Sequence, residues 1–528
     1  MMIIEAGAPF TLAAAKFGGR QAIRAGGETL TYDALGDAAN RLGSGLSMRG
    51  VAQGDRVGVL SHNRIEVPEI WLGLERFNIV RFVMHSHFDM AVHVRTLNDL
   101  GATVLIFDSR FTAEVENHRG SMSTVKHFIA IGEDAPDWAL RYDHILNGGN
   151  TDHPHIDVEE NDPCFIQLTT GTTGFPKPWI ATHRSWRAVV ANNLEHLDTF
   201  GGGIPALAPN DVNLHFHALQ WATGFQTFMP YMLRGARSII LDDAEFDPER
   251  IVDAIVGDGV TGFLVPAPML PSIMDAYEKR EGATHAIRRM VIFFATPDLL
   301  ERATEVFGHV WCHGFGSTEQ GAPTTRLTCE EAEESPKRLS SVGRNASPFF
   351  EMAIMNENAE RLPAGTVGEI VVRSEMSASA YWQLDEKTTE AFFPGDWFRS
   401  GDIGYIDDDG FLYYLDRAKD RIRTANGVVY PHVIETALLQ HRAVANCGVV
   451  GLGDVGGQAV VAGVLLHDGV SKSSDLAEDI LAMTGAALSD NERPSKLVFL
   501  NELPTVLGGA KVKREELQAQ IAALGREA

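Results

Sequence analysis

"TTGTTGFPKP", residues 169–178, places threonines, glycines and a single lysine between an apolar strand and a second apolar run. Glycines let the backbone approach a ligand closely, and successive N–H groups and hydroxyls form a concavity that suits oxyanions. The stretch is not a Walker A loop, because Lys177 is followed by Pro178 rather than by Ser or Thr and a helix. The pattern therefore predicts a phosphate-binding loop between two strands, with an ordinary turn as the alternative.

Length and composition exclude several classes of protein. The 528 residues exceed what one hydrophobic core usually supports, so we expect two or more domains. With 45 Lys+Arg against 70 Asp+Glu the formal net charge is −25, which argues against a nucleic-acid partner or an anionic membrane surface. The start, "MMIIEAGAPF", lacks the basic region of a signal peptide, and we expect a cytoplasmic protein without a membrane span. Four scattered cysteines favour neither a disulfide scaffold nor a zinc site.

The pattern of apolar residues predicts an α/β fold. From Phe10 to about Phe107, helix-like stretches alternate with short apolar strands, as in a wound α/β sheet, and similar units follow the loop. Between Phe349 and Tyr414, strands and tight turns indicate a β-rich subdomain. After the charged "LDRAKDRIR" come helix and strand patterns of their own, enough for a small α+β domain. We therefore predict a large N-terminal domain over residues 1–415 and a small C-terminal domain over residues 416–528.

Four further segments, together with the opening loop, indicate the chemistry of the protein. They are "HFHALQW" (215–221), "GFGSTEQ" (314–320), "WFRSGDIGYIDDDGFLYYLDRAKDRIRTANGVVYP" (397–431) and "LPTVLGGAKVKREEL" (503–517). Together with the opening loop, in this order, they resemble the adenylate-forming superfamily, which includes AMP-forming acyl-CoA and aryl-CoA synthetases, peptide-synthetase adenylation domains and luciferases. The resemblance runs from about Thr29 to Leu517. It implies that a carboxylate attacks the α-phosphate of ATP and that a thiol then displaces AMP.

This chemistry makes modest demands on side chains. A substrate carboxylate, with a pKa near about 4 to 5, is already ionised at neutral pH and needs no general base. Positioning and charge neutralisation must then lower the barrier, as in other phosphoryl chemistry. Glycines, hydroxyls, one acid and two lysines suit that task better than a nucleophilic triad.

The resemblance implies a nucleotide site built from several segments. Lys177 would reach the β- and γ-phosphates, Phe315, followed by Gly316, would stack on adenine in place of the usual tyrosine, and Thr318 would contact the α-phosphate. Glu319 would hold Mg²⁺ against the phosphate oxygens. The loop would supply hydroxyls and close backbone N–H groups from Thr169, Thr170, Gly171, Thr172, Thr173 and Gly174.

The resemblance also implies a ribose contact and a hinge. Asp402 would accept hydrogen bonds from both ribose hydroxyls, and Arg417 would add a ribose or phosphate contact. The mobile C-terminal domain would rotate at Lys419 between an adenylating and a thioester-forming position. Lys511 is the candidate catalytic lysine, although Ala510 replaces the usual preceding glycine, and Lys513 is the alternative.

Candidate acid-binding residues come from two segments. His217 matches a family histidine near the carboxylate and Trp221 a tryptophan at the acyl tunnel, with a core tryptophan and a satisfied histidine as the alternative. In "VIFFATPDLL", Phe293 and Phe294 replace pocket glycines, which suits either a compact ring acid or a bulky polycyclic one. His85 and His87, in "VRFVMHSHFDMAVH", have no assigned role.

We therefore predict an acyl-CoA synthetase that uses ATP, Mg²⁺ and coenzyme A on a hydrophobic carboxylic acid, and the sequence does not choose between a fatty, an aryl and a polycyclic acid. A ligase that loads an acyl carrier protein is the close alternative. A luciferase-like oxygenase and a non-catalytic nucleotide-binding homologue are further ones. The sequence leaves a homodimer open.

Overall fold

The computed structural model describes residues 2–169, 175–321, 323–345, 347–377, 380–506 and 511–524. The first part of the chain contains β1 (Ile3–Glu5), α1 (Ala8–Phe17), β2 (Gln21–Ala25), β3 (Glu28–Thr31), α2 (Tyr32–Ser47), β4 (Arg56–Leu60), α3 (Glu66–Arg76), β5 (Val80–Val83), α4 (Met90–Asp99), β6 (Val104–Asp108), α5 (Thr112–His118), β7 (His127–Ile131), β8 (Leu140–Arg141), α6 (Tyr142–Gly148), β9 (Asp157–Glu159) and β10 (Pro163–Thr169).

The middle part continues the alternation of strands and helices. It contains β11 (Lys177–Thr182), α7 (His183–Asp198), β12 (Val212–His215), α8 (Ala222–Leu233), β13 (Arg237–Ile240), α9 (Pro248–Gly257), β14 (Gly262–Pro266), α10 (Leu270–Glu278), β15 (Arg289–Phe293), α11 (Pro297–Phe307), β16 (Trp311–Gly314), β17 (Leu327–Thr328) and α12 (Cys329–Glu334).

The last part is richer in strands. It contains β18 (Phe350–Met355), β19 (Gly368–Ser374), α13 (Asp385–Glu390), β20 (Phe392–Phe393), β21 (Trp397–Ile406), β22 (Leu412–Arg417), β23 (Ile422–Thr424), β24 (Gly427–Val429), α14 (Pro431–Leu439), β25 (Val444–Leu452), β26 (Ala459–Leu466), α15 (Ser474–Ala487), β27 (Lys496–Phe499), β28 (Thr505–Val506), β29 (Lys511–Val512) and α16 (Arg514–Leu524).

Two large sheets with mostly parallel strands form the N-terminal part. The first has the order β11-β10-β5-β4-β6-β7-β8, and the second has the order β17-β16-β15-β14-β12-β13-β2-β3. Strands such as β6 and β14 are buried along their whole length, as expected for parallel strands that helices cover on both faces. The prediction of a wound α/β fold is therefore confirmed.

The β-rich subdomain and the C-terminal α+β unit follow in the predicted order. Strands β18, β19, β21, β20 and β22 form one antiparallel sheet, and β25, β26 and β27 form a separate small sheet with its own apolar core. Strand β22 ends at Arg417, so the boundary predicted between residues 415 and 416 falls inside this strand. That boundary stays a prediction. Among the described residues, none of the helices combines the length and the apolar character that a membrane crossing needs.

Candidate functional site

The opening loop connects two neighbouring antiparallel strands. Thr169 at the end of β10 lies opposite Lys177 at the start of β11, while the loop residues Thr170, Gly171, Thr172, Thr173 and Gly174 lie outside the described residues. Pro178 belongs to β11, which is an edge strand of its sheet, and proline is tolerated there because one side of such a strand needs no ladder donor. The chain around residues 380–382 runs along this edge, where the Trp382 N–H donates to the Pro178 carbonyl at 2.8 Å.

Tyr381 connects two of the predicted site residues. The ammonium of Lys177 lies 5.2 Å from the centre of the Tyr381 ring, and the Tyr381 hydroxyl donates to Glu319 Oε1 at 3.4 Å. Burial and the neighbouring Glu319 raise the pKa of Tyr381, so the hydroxyl stays protonated and remains a donor. Tyr381 was not predicted from the sequence, because it lies outside the segments that carry the family resemblance.

Phe315 to Glu319 follow the end of β16 in a tight turn. The Phe315 N–H donates to Thr325 Oγ1 at 3.1 Å, and its ring lies 5.9 Å from that of Tyr414. In the turn, the Gly321 N–H donates to the Thr318 carbonyl at 3.3 Å. Thr318 and Glu319 are half-buried, so this turn presents a hydroxyl and a carboxylate beside an aromatic ring.

Asp402 and Arg417 form a cross-strand pair in the β-rich sheet. They lie opposite each other on β21 and β22, and Arg417 Nε is 2.9 Å from Asp402 Oδ1. Asp402 is buried and raises the pKa of Arg417 through its charge. The pair holds a fixed carboxylate next to a guanidinium, which suits a sugar hydroxyl pair beside a phosphate.

The predicted hinge lies next to a second arginine that the sequence analysis did not select. The side chain of Lys419 is 37% exposed, its partial burial lowers the pKa of the ammonium, and the ammonium is 3.8 Å from Asp420 Oδ1. Arg514, in the lysine-bearing segment, approaches Asp416 at 3.8 Å and Asp420 at 3.7 Å, and pairs with Glu435 at 2.5 Å. The end of the chain is therefore attached to the strand end that precedes the hinge.

The two candidate lysines are two residues apart in the sequence. Lys511 is in β29, opposite Val506. Lys513 pairs with Glu516 Oε1 at 3.0 Å. Burial, and then the charge of Lys513, lower the pKa of His87, which places Lys513 near this histidine of the N-terminal part.

His85 and His87 lie beside the strand that leads into the loop. His85 Nε2 is 3.4 Å from the carbonyl oxygen of Leu168, and the two imidazole rings are 5.5 Å apart. Burial lowers the pKa of His85 to about 4, so it is neutral at neutral pH. Their role remains unassigned.

His217 is buried, and neither of its ring nitrogens has a hydrogen-bond partner in the described part of the chain. Burial lowers its pKa to about 4, and its ring lies 5.9 Å from that of Trp221. Asn63, which the sequence analysis missed, holds this segment: its amide donates to the His217 carbonyl at 2.9 Å and accepts the Leu219 N–H at 2.7 Å. Within the described residues His217 is therefore a buried imidazole without a hydrogen-bond partner, and its role stays a prediction.

Phe293 and Phe294 point to different surroundings although they are adjacent in sequence. Phe293 ends β15 opposite Gly314 and is buried in an apolar cluster with Leu264. Phe294 is 58% exposed and has a φ of 65°, a left-handed conformation that glycine adopts without strain. Only Phe293 is in a position to fill a buried pocket.

Comparison with known protein families decides the membership of the chain. The profile of the AMP-binding enzymes matches residues 10–382, and that of the AMP-binding enzyme C-terminal domain matches residues 433–507. The chain belongs to the AMP-binding enzymes. The predicted resemblance to the adenylate-forming superfamily, and with it the prediction of an enzyme, is confirmed. The roles of the individual site residues stay predictions.

Relatives of this AMP-binding enzyme include ligases for two kinds of acceptor. It is 28% identical to the fatty acid–[acyl-carrier-protein] ligase ScoC of Streptomyces coeruleorubidus, over 93% of this chain and 91% of that protein. It is also 28% identical to the medium/long-chain-fatty-acid–CoA ligase FadD8 of Mycobacterium tuberculosis, over 94% and 86%. The crystal structure of the anthranilate CoA ligase AuaEII in complex with anthranoyl-AMP shares the fold, with a TM-score of 0.88, 21% identity and 98% coverage of both chains.

Proposed function

We propose that this AMP-binding enzyme is an acyl-CoA synthetase, which activates a carboxylic acid with ATP and transfers the acyl group to coenzyme A. The observation that carries the proposal is the approach of Lys177 and Glu319 to the same tyrosine, next to the loop between β10 and β11. A cation and a carboxylate beside the same side chain suit a nucleoside triphosphate with a divalent cation. The CoA ligases among the relatives support this reading.

Glu319 fits the predicted Mg²⁺. Mg²⁺ prefers oxygen ligands and keeps several waters, so one protein carboxylate together with phosphate oxygens is a sufficient set. Glu319 is half-buried at the turn, with a hydroxyl from Thr318 next to it in sequence. When bound, Mg²⁺ would neutralise phosphate charge.

The residues of this chain would then act mainly by position. Lys177 would bind the β- and γ-phosphates, Asp402 the ribose, and Lys511 would neutralise the acid carboxylate and the α-phosphate. The carboxylate oxygen forms a bond to the α-phosphorus, and pyrophosphate leaves. The thiolate of coenzyme A then attacks the acyl carbon, and AMP leaves. We infer that residues 416–528 rotate about Lys419 between the two steps.

Transfer to a carrier protein is the second candidate function. It is favoured by the similarity to ScoC, a fatty acid–[acyl-carrier-protein] ligase. Both functions share the adenylation step and differ only in the acceptor thiol.

ATP-dependent pyrophosphate release tests the proposal. The assay would use fatty and aryl acids with Mg²⁺, each alone, with coenzyme A and with a phosphopantetheinylated carrier protein. We expect release that coenzyme A stimulates, with a thioester in the mass spectrum. The Lys177→Met variant should lose at least about 10²-fold of this rate, as expected for one preorganised charge at a phosphate. The Lys496→Met variant, at an exposed lysine of β27, is the matched control.

The other outcomes separate the alternatives. A thioester formed only on the carrier protein would identify the second candidate. Oxygen uptake or light would indicate the luciferase-like oxygenase. Nucleotide binding without pyrophosphate release from any acid would contradict the proposal and favour the non-catalytic homologue.

A further inference from the structure

Three side chains of the kind that bind metal ions meet beside the first strand of the chain. Glu5 ends β1, and His153 and His155 lie in the loop that precedes β9. His153 Nε2 is 2.7 Å and His155 Nδ1 is 2.9 Å from the same carboxylate oxygen, Glu5 Oε1. One ligand atom from each of the three residues lies within 4.8 Å of the other two. These residues are separate from those predicted to bind ATP.

The backbone of the loop brings the two imidazoles together. Pro154 stands between the two histidines and fixes its own φ. His155 has a φ of 47°, in the left-handed region that residues other than glycine seldom adopt. With this backbone the ring centres of His153 and His155 are 4.4 Å apart, edge to face. Both rings can therefore contact the Glu5 carboxylate at the same time.

The pairing of β1 with β9 concentrates negative charge at the same place. Glu5 lies directly opposite Asp157 in this antiparallel pair, and the Ala6 N–H donates to the Ile156 carbonyl at 2.9 Å. Directly opposed residues have their side chains on one face of a sheet, and like charges there destabilise the pairing. A cation bound at Glu5 would offset this repulsion.

We propose that Glu5, His153 and His155 bind a divalent transition-metal ion, with Zn²⁺ as the expected occupant. Two imidazoles and a carboxylate suit Zn²⁺, whereas Mg²⁺ and Ca²⁺ prefer oxygen ligands. Ligand atoms around a four-coordinate Zn²⁺ are about 3.3 Å apart, so the present contacts need to open by only about half an ångström. The His155 side chain is 76% exposed, which leaves a further position of the ion open to water.

The ion would fasten the start of the chain to the segment that leads into β10. Strand β1 pairs with β9 over three residues only, and such short pairings at a chain end open easily. After β9 the chain continues into β10, which ends at Thr169, where the predicted phosphate-binding loop begins. The role of this ion is therefore structural.

Zn²⁺ titration of the full-length protein, without an affinity tag and without nucleotide, tests this inference. Calorimetry should detect one Zn²⁺ that an excess of Mg²⁺ does not displace. His153→Ala and Glu5→Gln should each weaken its binding by about 100-fold or more, at least the upper end of what loss of a residue supporting a metal ligand costs. Glu5→Gln keeps the side-chain shape and serves alone if His153→Ala does not fold. His144→Ala, at an exposed histidine of α6, is the matched control and should bind Zn²⁺ unchanged.

Amide hydrogen exchange locates the ion without a mutation. At a free Zn²⁺ concentration of about 100 times Kd, local opening should slow by up to about 100-fold, because the ion binds only the closed form. We expect this protection in residues 3–6 and 156–160 and not in the C-terminal unit. Absence of Zn²⁺ binding to the folded protein, binding that Glu5→Gln leaves intact, or protection confined to other segments would each overturn the inference. None of these measurements uses pyrophosphate release, so the inference and the proposed function fail separately.

Discussion

Tyr381 contacts both Lys177, through its ring, and Glu319, through its hydroxyl. Mutation can remove these two contacts separately. Tyr381→Phe removes only the hydroxyl that donates to Glu319. We expect it to raise the Mg²⁺ concentration needed for half-maximal pyrophosphate release by about 2- to 10-fold, the value of one hydrogen bond to a charged group or less. Tyr381→Leu also removes the ring beneath Lys177 and should raise the KM for ATP by a further factor of about 2 to 5.

Mg²⁺ and ATP titrations of the two variants distinguish these contributions. Tyr405→Phe, at a tyrosine that stacks on Tyr413 elsewhere in the β-rich sheet, is the control. A Tyr381→Phe enzyme with the Mg²⁺ response of the unaltered enzyme would show that the hydroxyl contact is not used in catalysis.

Residues of the candidate site could be predicted from the sequence where several of them lie together in one short segment. Thr318 and Glu319 share a turn, and Lys177 begins the strand after the loop. Tyr381 was not predictable, because it is 62 residues from Glu319 in sequence and meets it only where the chain runs along β11. Asn63 is likewise 154 residues from His217. Such partners are chosen by tertiary packing, which local sequence patterns do not encode.

At the level of secondary structure, α3 carries an acid inside the core. Glu69 is buried and accepts a hydrogen bond from the Tyr142 hydroxyl of α6 at 2.9 Å. Burial raises the pKa of Glu69 from 4.5 to about 8. The Glu69 carboxyl therefore stays protonated in the folded protein at pH values where the unfolded chain has already lost this proton, above about pH 4.5. The contribution of Glu69 to the free energy of unfolding is therefore fully present below about pH 4.5 and is lost as the pH rises towards 8.

Glu69→Gln keeps an acceptor for Tyr142 and removes the ionisation. Between about pH 5 and about pH 8 the free energy of unfolding of the unaltered protein should fall relative to that of the variant by up to about 1.4 kcal/mol per pH unit. Denaturant midpoints at several pH values measure this difference. Parallel pH profiles for the two proteins would show that Glu69 is ionised in the fold.

Some secondary-structure elements could be predicted from the sequence and others could not. The parallel strands were predictable because both of their faces are buried, which leaves continuous apolar runs such as that of β6. The short pairing of β1 with β9 was not, because three-residue strands at 3–5 and 157–159 carry no periodic pattern. The different positions of Phe293 and Phe294 could not be predicted either. Phe294 has a left-handed backbone conformation that turns it away from the buried side, and the residue types around it do not indicate this conformation.

At the scale of the whole molecule, the last segment of the chain is attached to the strand end that precedes the hinge. Arg514 pairs with Glu435 at 2.5 Å and lies within 3.8 Å of Asp416, so it ties the lysine-bearing segment to the strand end that precedes Lys419. Lys513, next to Arg514, already pairs with Glu516. A rotation about the hinge would carry this segment as a unit, and Lys511, the lysine that the family resemblance selects, is predicted to neutralise the reacting groups.

Lys511→Ala should therefore slow pyrophosphate release by about 10² or more, as for the loss of one preorganised electrostatic group. Thioester formation from a chemically prepared acyl-adenylate should change by less than about 10-fold, because that step follows rotation of the C-terminal domain and no longer needs this charge at the α-phosphate. Lys513→Ala is the matched control and should affect both steps by less than about 10-fold. Rapid-quench measurement of each half-reaction tests the assignment. If Lys513→Ala blocks adenylation and Lys511→Ala does not, Lys513 is the catalytic lysine and its pairing with Glu516 must open before ATP reacts.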